Sequence, residues 1–317
     1  MIDKPGFYAD MPADQYYADP CVQPSLSSSI AKVLLEQSPL HAWYCHPRFN
    51  EQQESEPTRP KEIGTAAHKL VLGKGRDVVV IDADDYKSGA AKAKRAEAYA
   101  SGHAPILRAD LAKAEGIANA VAEQIGGIEG CEGFASATPE LVAISQDPLG
   151  PWLRVMIDKF EDHGDHAVIW DVKTGEQSAA PHGIGRRIAN LSMEIQAGLY
   201  ERVVVNLRPE LAGRVRFRWL FVENDPPHML LPVELDNVGM EIGRRKAAAA
   251  ISIWQRCIET GFWPGYPNQI IQAEYPPYMA SSWEFRETED PALAGVVYGR
   301  PGVIVRKPVE QLDIIAP

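Results

Sequence analysis

The chain has 317 residues, 45% of them hydrophobic and 24% charged, a balance that fits one large or two small folded domains and excludes a largely disordered chain. Its formal net charge of −11 excludes a surface coated in basic residues, though a local groove can still be positive. No run of about 18 apolar residues is present and no basic region precedes an apolar core at the N-terminus, so neither a membrane span nor a secretory signal is expected, and a cytoplasmic location is.

Residues 1–25 are polar, with Tyr and Pro, and read as an irregular arm. Ser27-Ser28-Ser29 can cap a short helix that carries Ile30, Val33 and Leu34 on one face and ends at Ser38-Pro39. Residues 50–61 form a polar loop. Glu62 to Leu72 reads as a helix whose Gly64-Thr65-Ala66-Ala67 run permits close packing ahead of His68, and Asp77 to Ile81 as a short strand. Residues 85–125, rich in Ala, Lys and Glu, fit one or two surface helices broken near Gly102-His103-Ala104-Pro105.

Glu140 to Ser145, Leu153 to Phe160 and Ala167 to Val172 then read as three strands of an antiparallel meander. The Gly-Asp pair in Asp162-His163-Gly164-Asp165-His166 suits a tight turn between the last two. A helix follows from about Ile184 to Leu207, then a strand from Val215 to Val222, an apolar stretch around Met229 to Leu235, and a long helix from about Asn237 to Thr260. Residues 288–317 look like a tail. The four cysteines, Cys21, Cys45, Cys131 and Cys257, form no C-x-x-C pair, so a zinc or iron–sulfur site lacks local support and buried or partly buried free thiols are expected.

The chemistry concentrates at Val168-Ile169-Trp170-Asp171-Val172-Lys173-Thr174. Strand side chains alternate faces, so Asp171 and Lys173 point to the same side of one strand end. If the turn centres between Gly164 and Asp165, Asp158 faces Asp171 across the hairpin. Like charges directly opposite each other are destabilising, so the two carboxylates either titrate upward or share a cation. On the second reading they form a cradle for a divalent metal, with Glu140 on the preceding strand as a third carboxylate. Oxygen ligands of this kind suit Mg²⁺ or Mn²⁺ rather than zinc. A D-x-K at a strand end is, by itself, more often a solvated ion pair, and a lone His68 more often structural. Gln196 and Tyr200, four apart, share one face of the later helix, which is also an ordinary arrangement beside a core tyrosine. Arg186 and Arg187 at that helix's start could contact phosphates, or form a solvated basic turn.

Taken in order, G-T-A-A-H around His68, P-E-L around Glu140, M-I-D around Asp158, W-D-V-K-T around Asp171 and Lys173, and E-I-Q-A-G-L-Y around Gln196 and Tyr200 resemble the PD-(D/E)xK nuclease superfamily. The resemblance is strongest to the RecE-like (exonuclease VIII) phage and prophage exonucleases, with the RecB nuclease domain as a broader relative. It spans roughly residues 25–285, from the S-S-S-I helix to W-x-x-C-I-E-x-G-x-W-P-G-Y at Trp254 to Tyr266.

The resemblance implies an α/β fold with a restriction-endonuclease-like core: a central mixed β-sheet, antiparallel at the active site, flanked by α-helices. It makes residues 26–287 a nuclease domain with a helical insertion at about 85–125, between the arm of 1–25 and the tail of 288–317. It implies that His68, Asp158 and Asp171 bind Mg²⁺, with Mn²⁺ as substitute, helped by Glu140 and the Val172 carbonyl. Lys173 becomes the catalytic lysine, and Gln196 and Tyr200 support the site and the entering strand. The implied activity is 5′ to 3′ exonucleolytic hydrolysis of linear double-stranded DNA from its ends. The 3′ overhang is left for a single-strand annealing recombinase, and the enzyme forms a homo-oligomeric ring. A structure-specific or single-strand endonuclease of the RecB-like branch, or a non-catalytic DNA-binding module on the same fold, are the alternatives.

Overall fold

The computed structural model describes residues 1–50 and 57–293. The expected polar loop at 50–61 lies partly outside the described residues, and the expected tail does so from 294 onward. Met1–Tyr266 forms one compact unit and Pro267 onward a second. The first unit thus ends ahead of the expected boundary at 287, on a cluster in which the Trp254 and Trp263 rings meet edge-on at 5.0 Å beside Phe49.

The first unit begins with β1 (Gly6–Tyr8), α1 (Ala13–Tyr17), α2 (Ser28–Glu36), α3 (Pro39–Cys45) and α4 (Arg59–Leu72). Ser27 and Ser38 cap α2 and α3 through their side chains, as short polar residues do when helix N–H groups lack partners. There follow β2 (Val78–Ile81), α5 (Gly89–Ala100), β3 (Ala104–Leu107) and α6 (Arg108–Gln124). The meander is β4 (Thr138–Gln146), β5 (Trp152–Asp162) and β6 (Ala167–Gly175). After it come α7 (Pro181–Asn190), α8 (Glu194–Leu207), β7 (Val215–Glu223), β8 (Leu230–Val233) and α9 (Asn237–Thr260). The second unit holds α10 (Pro277–Glu289), which buries none of its side chains.

Six strands form one sheet in the order β1-β4-β5-β6-β7-β8, antiparallel except for the β6–β7 pair. A parallel pair needs a long crossover, and α7 and α8 supply it. One face packs on α2, α8 and α9 through residues such as Val155, Ile169, Phe217 and Trp219. The opposite face is covered in two parts: α4 and α6 lie over Val168, Trp170, Val172 and Leu220, whereas Met11, Tyr16 and Cys21 lie over Val142 and Ile144. The expected mixed sheet with an antiparallel meander and flanking helices is therefore what the chain builds.

Several local expectations change. Residues 1–25 are not irregular throughout, because β1 adds an edge strand to β4 with Gly6 opposite Ile144 and Tyr8 opposite Val142. Between α5 and α6 lies the fully buried β3, paired in parallel with β2, and α6 sinks Ala114, Ile117, Ala120 and Val121 into the core. The segment at 85–125 is thus only partly a surface layer; small alanines on the inner face of α6 weaken its hydrophobic signature. The single helix expected over 184–207 is broken at Ser192, whose φ of 48° is left-handed. Cys21, Cys131 and Cys257 are buried free thiols, but Cys45 is exposed.

Helix α8 carries Gln196 and Tyr200, and its depth is set by glycine. Gly198 faces Gly243 of α9 so closely that a Cβ on either would fall inside the contact distance of backbone atoms on the other helix. Overpacking a site with no room costs about 1–3 kcal/mol. Gly198→Ala should therefore lower the unfolding free energy by roughly that amount; an unchanged urea midpoint would show that the helices separate freely.

Candidate active site

Gly164 takes φ 82° at the hairpin turn, and His163 N–H donates to the His166 carbonyl at 3.0 Å. The turn sets Lys159 opposite Trp170, Phe160 opposite Ile169 and Asp162 opposite Ala167. That is the register expected from the sequence. The ladder then stops one position short of Asp158 and Asp171. Beyond it β6 stays with β7 as far as Gly175, and β5 stays with β4 back to Trp152. The sheet forks between β5 and β6 at these two aspartates.

Glu140 is in register with Asp158 on the other side. The β4–β5 ladder pairs Pro139 with Lys159 and Leu141 with Ile157 but skips Glu140, whose φ is 45°. The alternation of β5 slips at the same place. Ile157 enters one core, whereas Lys159, two residues on, turns to the opposite face, its Nζ 5.5 Å from the Phe134 ring. Glu140, Asp158 and Asp171 therefore occupy one row across three strands.

Backbone groups released by the fork need other partners. Asp158 Oδ2 accepts the Val172 N–H at 2.7 Å, replacing a ladder bond with a carboxylate. The Tyr200 hydroxyl donates to the Met156 carbonyl at 2.9 Å. Farther along β5, the Leu26 N–H donates to the Trp152 carbonyl at 2.8 Å and the Arg154 N–H to the Leu26 carbonyl at 3.1 Å.

The charged groups are paired within this frame. His68 Nε2, from α4, lies 3.0 Å from Asp158 Oδ2, and Lys173 Nζ lies 2.7 Å from Asp171 Oδ2. Gln196 Nε2 donates to Asp171 Oδ1 at 2.6 Å. Burial works against the charge on Asp158, yet His68, Lys173 and the Val172 N–H together hold it below the usual carboxylate range. At Asp171 burial wins, with the charge of Asp158 adding to it, and the pKa rises despite Lys173 and Gln196. Burial pulls Lys173 down, but Asp171 and Asp158 outweigh it and raise the ammonium above its ordinary value. His68 is likewise raised, its burial outweighed chiefly by Asp158. Two adjacent carboxylates are thus pushed in opposite directions.

A cleft of about 940 Å³ opens over this row. It brings together His68, Glu140, Asp158, Asp171, Val172, Lys173, Gln196 and Tyr200, whereas Arg186 and Arg187 do not line it. Arg187 lies over the Phe221 ring at 4.9 Å instead. Its wall also contains Tyr16 and Tyr17 of α1, Ser27 to Ser29 at the start of α2, Lys61, Thr65 and Lys69 of α4, and Arg76. Sequence reading missed the contribution of α1. The adjacent Tyr16-Tyr17 pair was its only local signal.

The oxygens of Asp158, Asp171 and Glu140 are donors of the hard type that Mg²⁺ and Mn²⁺ take. Buried Asp171 Oδ2 has no aligned hydrogen bond and lies 2.7 Å from the Lys173 ammonium, the group a metal ion would have to replace there. Among the described residues no three His, Cys, Asp or Glu side chains converge closely enough to hold an ion as they stand. His68 and Lys173 occupy the facing carboxylate oxygens.

Asp19 fixes the α1 wall to the sheet. Its side chain is fully buried; Ser25 Oγ donates to it at 2.6 Å, and His46 Nε2 and Arg154 Nη1 each lie 3.3 Å from it while also meeting the Ser25 carbonyl at 3.1 and 2.7 Å. The Arg48 N–H donates to His46 Nδ1, which assigns the ring proton to Nε2, facing Asp19. Burial would raise the carboxyl, but His46, Arg154 and Ser25 hold it below the usual carboxylate range.

Among solved structures, the chain is similar to one described as "Putative exonuclease" from Eubacterium rectale, with a TM-score of 0.53 and 11% identity over 89% of this chain and 99% of that one. At that identity the likeness is one of fold. A second, SSO0001, has a TM-score of 0.25 and 13% identity over 59% of this chain and 84% of that one, and carries no argument. No family model and no curated protein matches the sequence.

Two substitutions test this framework. Tyr200→Phe leaves the Met156 carbonyl without its donor and should cost about 1–3 kcal/mol in urea unfolding. Asp19→Asn leaves buried Arg154 without its counter-ion and should cost about 3–5 kcal/mol at neutral pH. A carboxyl with a depressed folded pKa contributes stability above its unfolded pKa and loses it as pH falls through the folded value. The gap between wild type and Asp19→Asn should therefore narrow as unfolding is repeated below about pH 4. A gap independent of pH would exclude an ionised Asp19.

Proposed function

We propose that the protein is a metal-dependent DNA nuclease of the PD-(D/E)xK type, acting as a RecE-like exonuclease on linear double-stranded DNA ends. The observation that carries this reading is the meeting of Asp158 and Asp171 at the fork, with Lys173 on one carboxylate and His68 on the other. A fold likeness to a protein called an exonuclease supports it. The proposal includes 5′ to 3′ polarity, a 3′ overhang handed to a single-strand annealing recombinase, and a ring-like homo-oligomer.

Asp158, Asp171 and Glu140, with the Val172 carbonyl, would hold Mg²⁺ or Mn²⁺. When bound, such an ion neutralises the scissile phosphate and acidifies a water molecule. The chain's own groups supply the rest. Lys173, kept charged by two aspartates, orients the attacking water and stabilises charge developing on the phosphoryl oxygens, rather than serving as a base. Gln196 fixes the rotamer of Asp171. Tyr200 holds the backbone of β5 two residues before Asp158. His68 joins the carboxylate row either beside the ion or as a donor to Asp158.

Duplex DNA labelled separately at its 5′ and 3′ ends, incubated with Mg²⁺ or EDTA, tests class and direction together. Wild type should digest the linear duplex only with Mg²⁺ and spare covalently closed circles. Asp158→Asn, Asp171→Asn and Lys173→Ala should each lower the rate by about a hundredfold or more while leaving the circular dichroism spectrum unchanged. Full activity in all three would refute the assignment. The paired state of His68 and Asp158 also fits a non-catalytic DNA-binding module. Calorimetric titration separates the two, because only the nuclease reading requires Mn²⁺ to bind in a manner lost with Asp158→Asn.

A further inference from the structure

Tyr17 stands out in the cleft wall because the other aromatic rings there are not available. Tyr16 and Tyr200 also line the cleft but are only 6% and 5% exposed, whereas Tyr17 is 61% exposed. Its neighbour Tyr16 is a core residue whose ring meets that of Tyr17 edge-on at 5.3 Å, with the Arg154 guanidinium 5.6 Å from the Tyr16 ring. Two residues later, Asp19 clamps the segment to Arg154 and His46. Tyr17 is therefore an open ring on a fixed mount, and little ordering entropy is lost when a flat partner lands on it.

The surroundings identify the partner's chemistry. Lys61 and Arg76 are exposed in the same wall and have no ion-pair partner among the described residues. Lys173 adds a cation at the floor. A groove that combines cations with an exposed aromatic ring suits a single nucleic-acid strand, whose phosphates follow the charges while a base stacks on the ring.

We infer that Tyr17 is the stacking platform for a base of the strand held in the cleft, a positioning residue that sets where the backbone crosses the Glu140–Asp158–Asp171 row. The inference rests on the nuclease reading for the identity of the strand, but its test does not require cleavage. Stacking on an aromatic side chain is sequence-tolerant, so the platform accepts any base and contributes register rather than specificity. It needs the ring and not the hydroxyl.

The test uses the full chain in Ca²⁺ with a short single-stranded oligodeoxynucleotide carrying 2-aminopurine at its terminal base, and a matched oligonucleotide abasic at that position. Gel electrophoresis checks that the probes stay whole. Wild type should quench the 2-aminopurine fluorescence on binding, and Tyr17→Phe should bind with the same affinity. Tyr17→Ala should bind about five- to a hundredfold more weakly. On the abasic oligonucleotide wild type and Tyr17→Ala should bind equally, and thermal melts of the two proteins should coincide because the ring is exposed. Equal binding of the 2-aminopurine probe by wild type and Tyr17→Ala would overturn the inference, as would an equal loss on both probes. The end-labelled digestion separates the two ideas. Digestion by wild type with no stacking effect removes the platform and keeps the nuclease; a stacking effect without digestion does the reverse; neither digestion nor binding removes both.

Discussion

The site depends on one constraint: every backbone N–H and carbonyl freed where β5 and β6 part must find another partner. A fork in a sheet exposes two strand edges facing each other, and water in a narrow cleft is a costly substitute for a ladder. The chain answers with side chains. Asp158 accepts the Val172 N–H, Tyr200 donates to the Met156 carbonyl, and the Leu26 segment takes up part of the open edge of β5. The Asp158 and Tyr200 side chains that repair the sheet also line the cleft, so they serve both the site and the strands.

Electrostatics follow from that geometry. Two carboxylates in register would destabilise the sheet if both were charged and unpaired. Each instead has its own basic partner, His68 from a helix on one face and Lys173 from the strand itself. The result is asymmetric, because Asp158 gains a backbone N–H and is held ionised while Asp171, more deeply buried, is driven upward. On the metal-dependent reading, Asp158 and Asp171 would hold the ion through oxygens that His68 and Lys173 now meet, and Lys173, kept charged by both aspartates, would stay beside the phosphoryl oxygens.

The aspartate pairing was legible because Gly164-Asp165 closes a turn too short to allow another register, so local chemistry alone aligned Asp158 with Asp171. Helix α9 was equally readable: Asp236 caps its start and Gly261, with φ 67°, ends it. The fork was not readable. It exists because β6 prefers β7, a parallel partner reached only after α7 and α8, and nothing near Asp158 encodes that choice. The N-terminal wall was hidden for the same reason, since Asp19 and Arg154 meet across most of a domain. Pro105 disguised β3 as a helix break, although proline is tolerated in a strand where no ladder donor is needed. Gln196 and Tyr200 were recognisable as a pair, but the break at Ser192 that aims their helix at the sheet left no pattern.

The net charge of −11 raises the question of how a polyanion would approach. Screening answers it: at physiological salt the Debye length is about 8 Å, so exposed charges beyond the cleft contribute little to the potential inside it. Within that range Asp158 and Asp171 are paired with His68 and Lys173, and among the described residues Glu140, Lys61 and Arg76 are in no ion pair. On the nuclease reading, a strand in the cleft would find two exposed cations and an open ring in the same wall that borders the carboxylate row. Asp19 holds that arrangement in place, because it fixes the wall that carries the ring to the strand that carries Asp158.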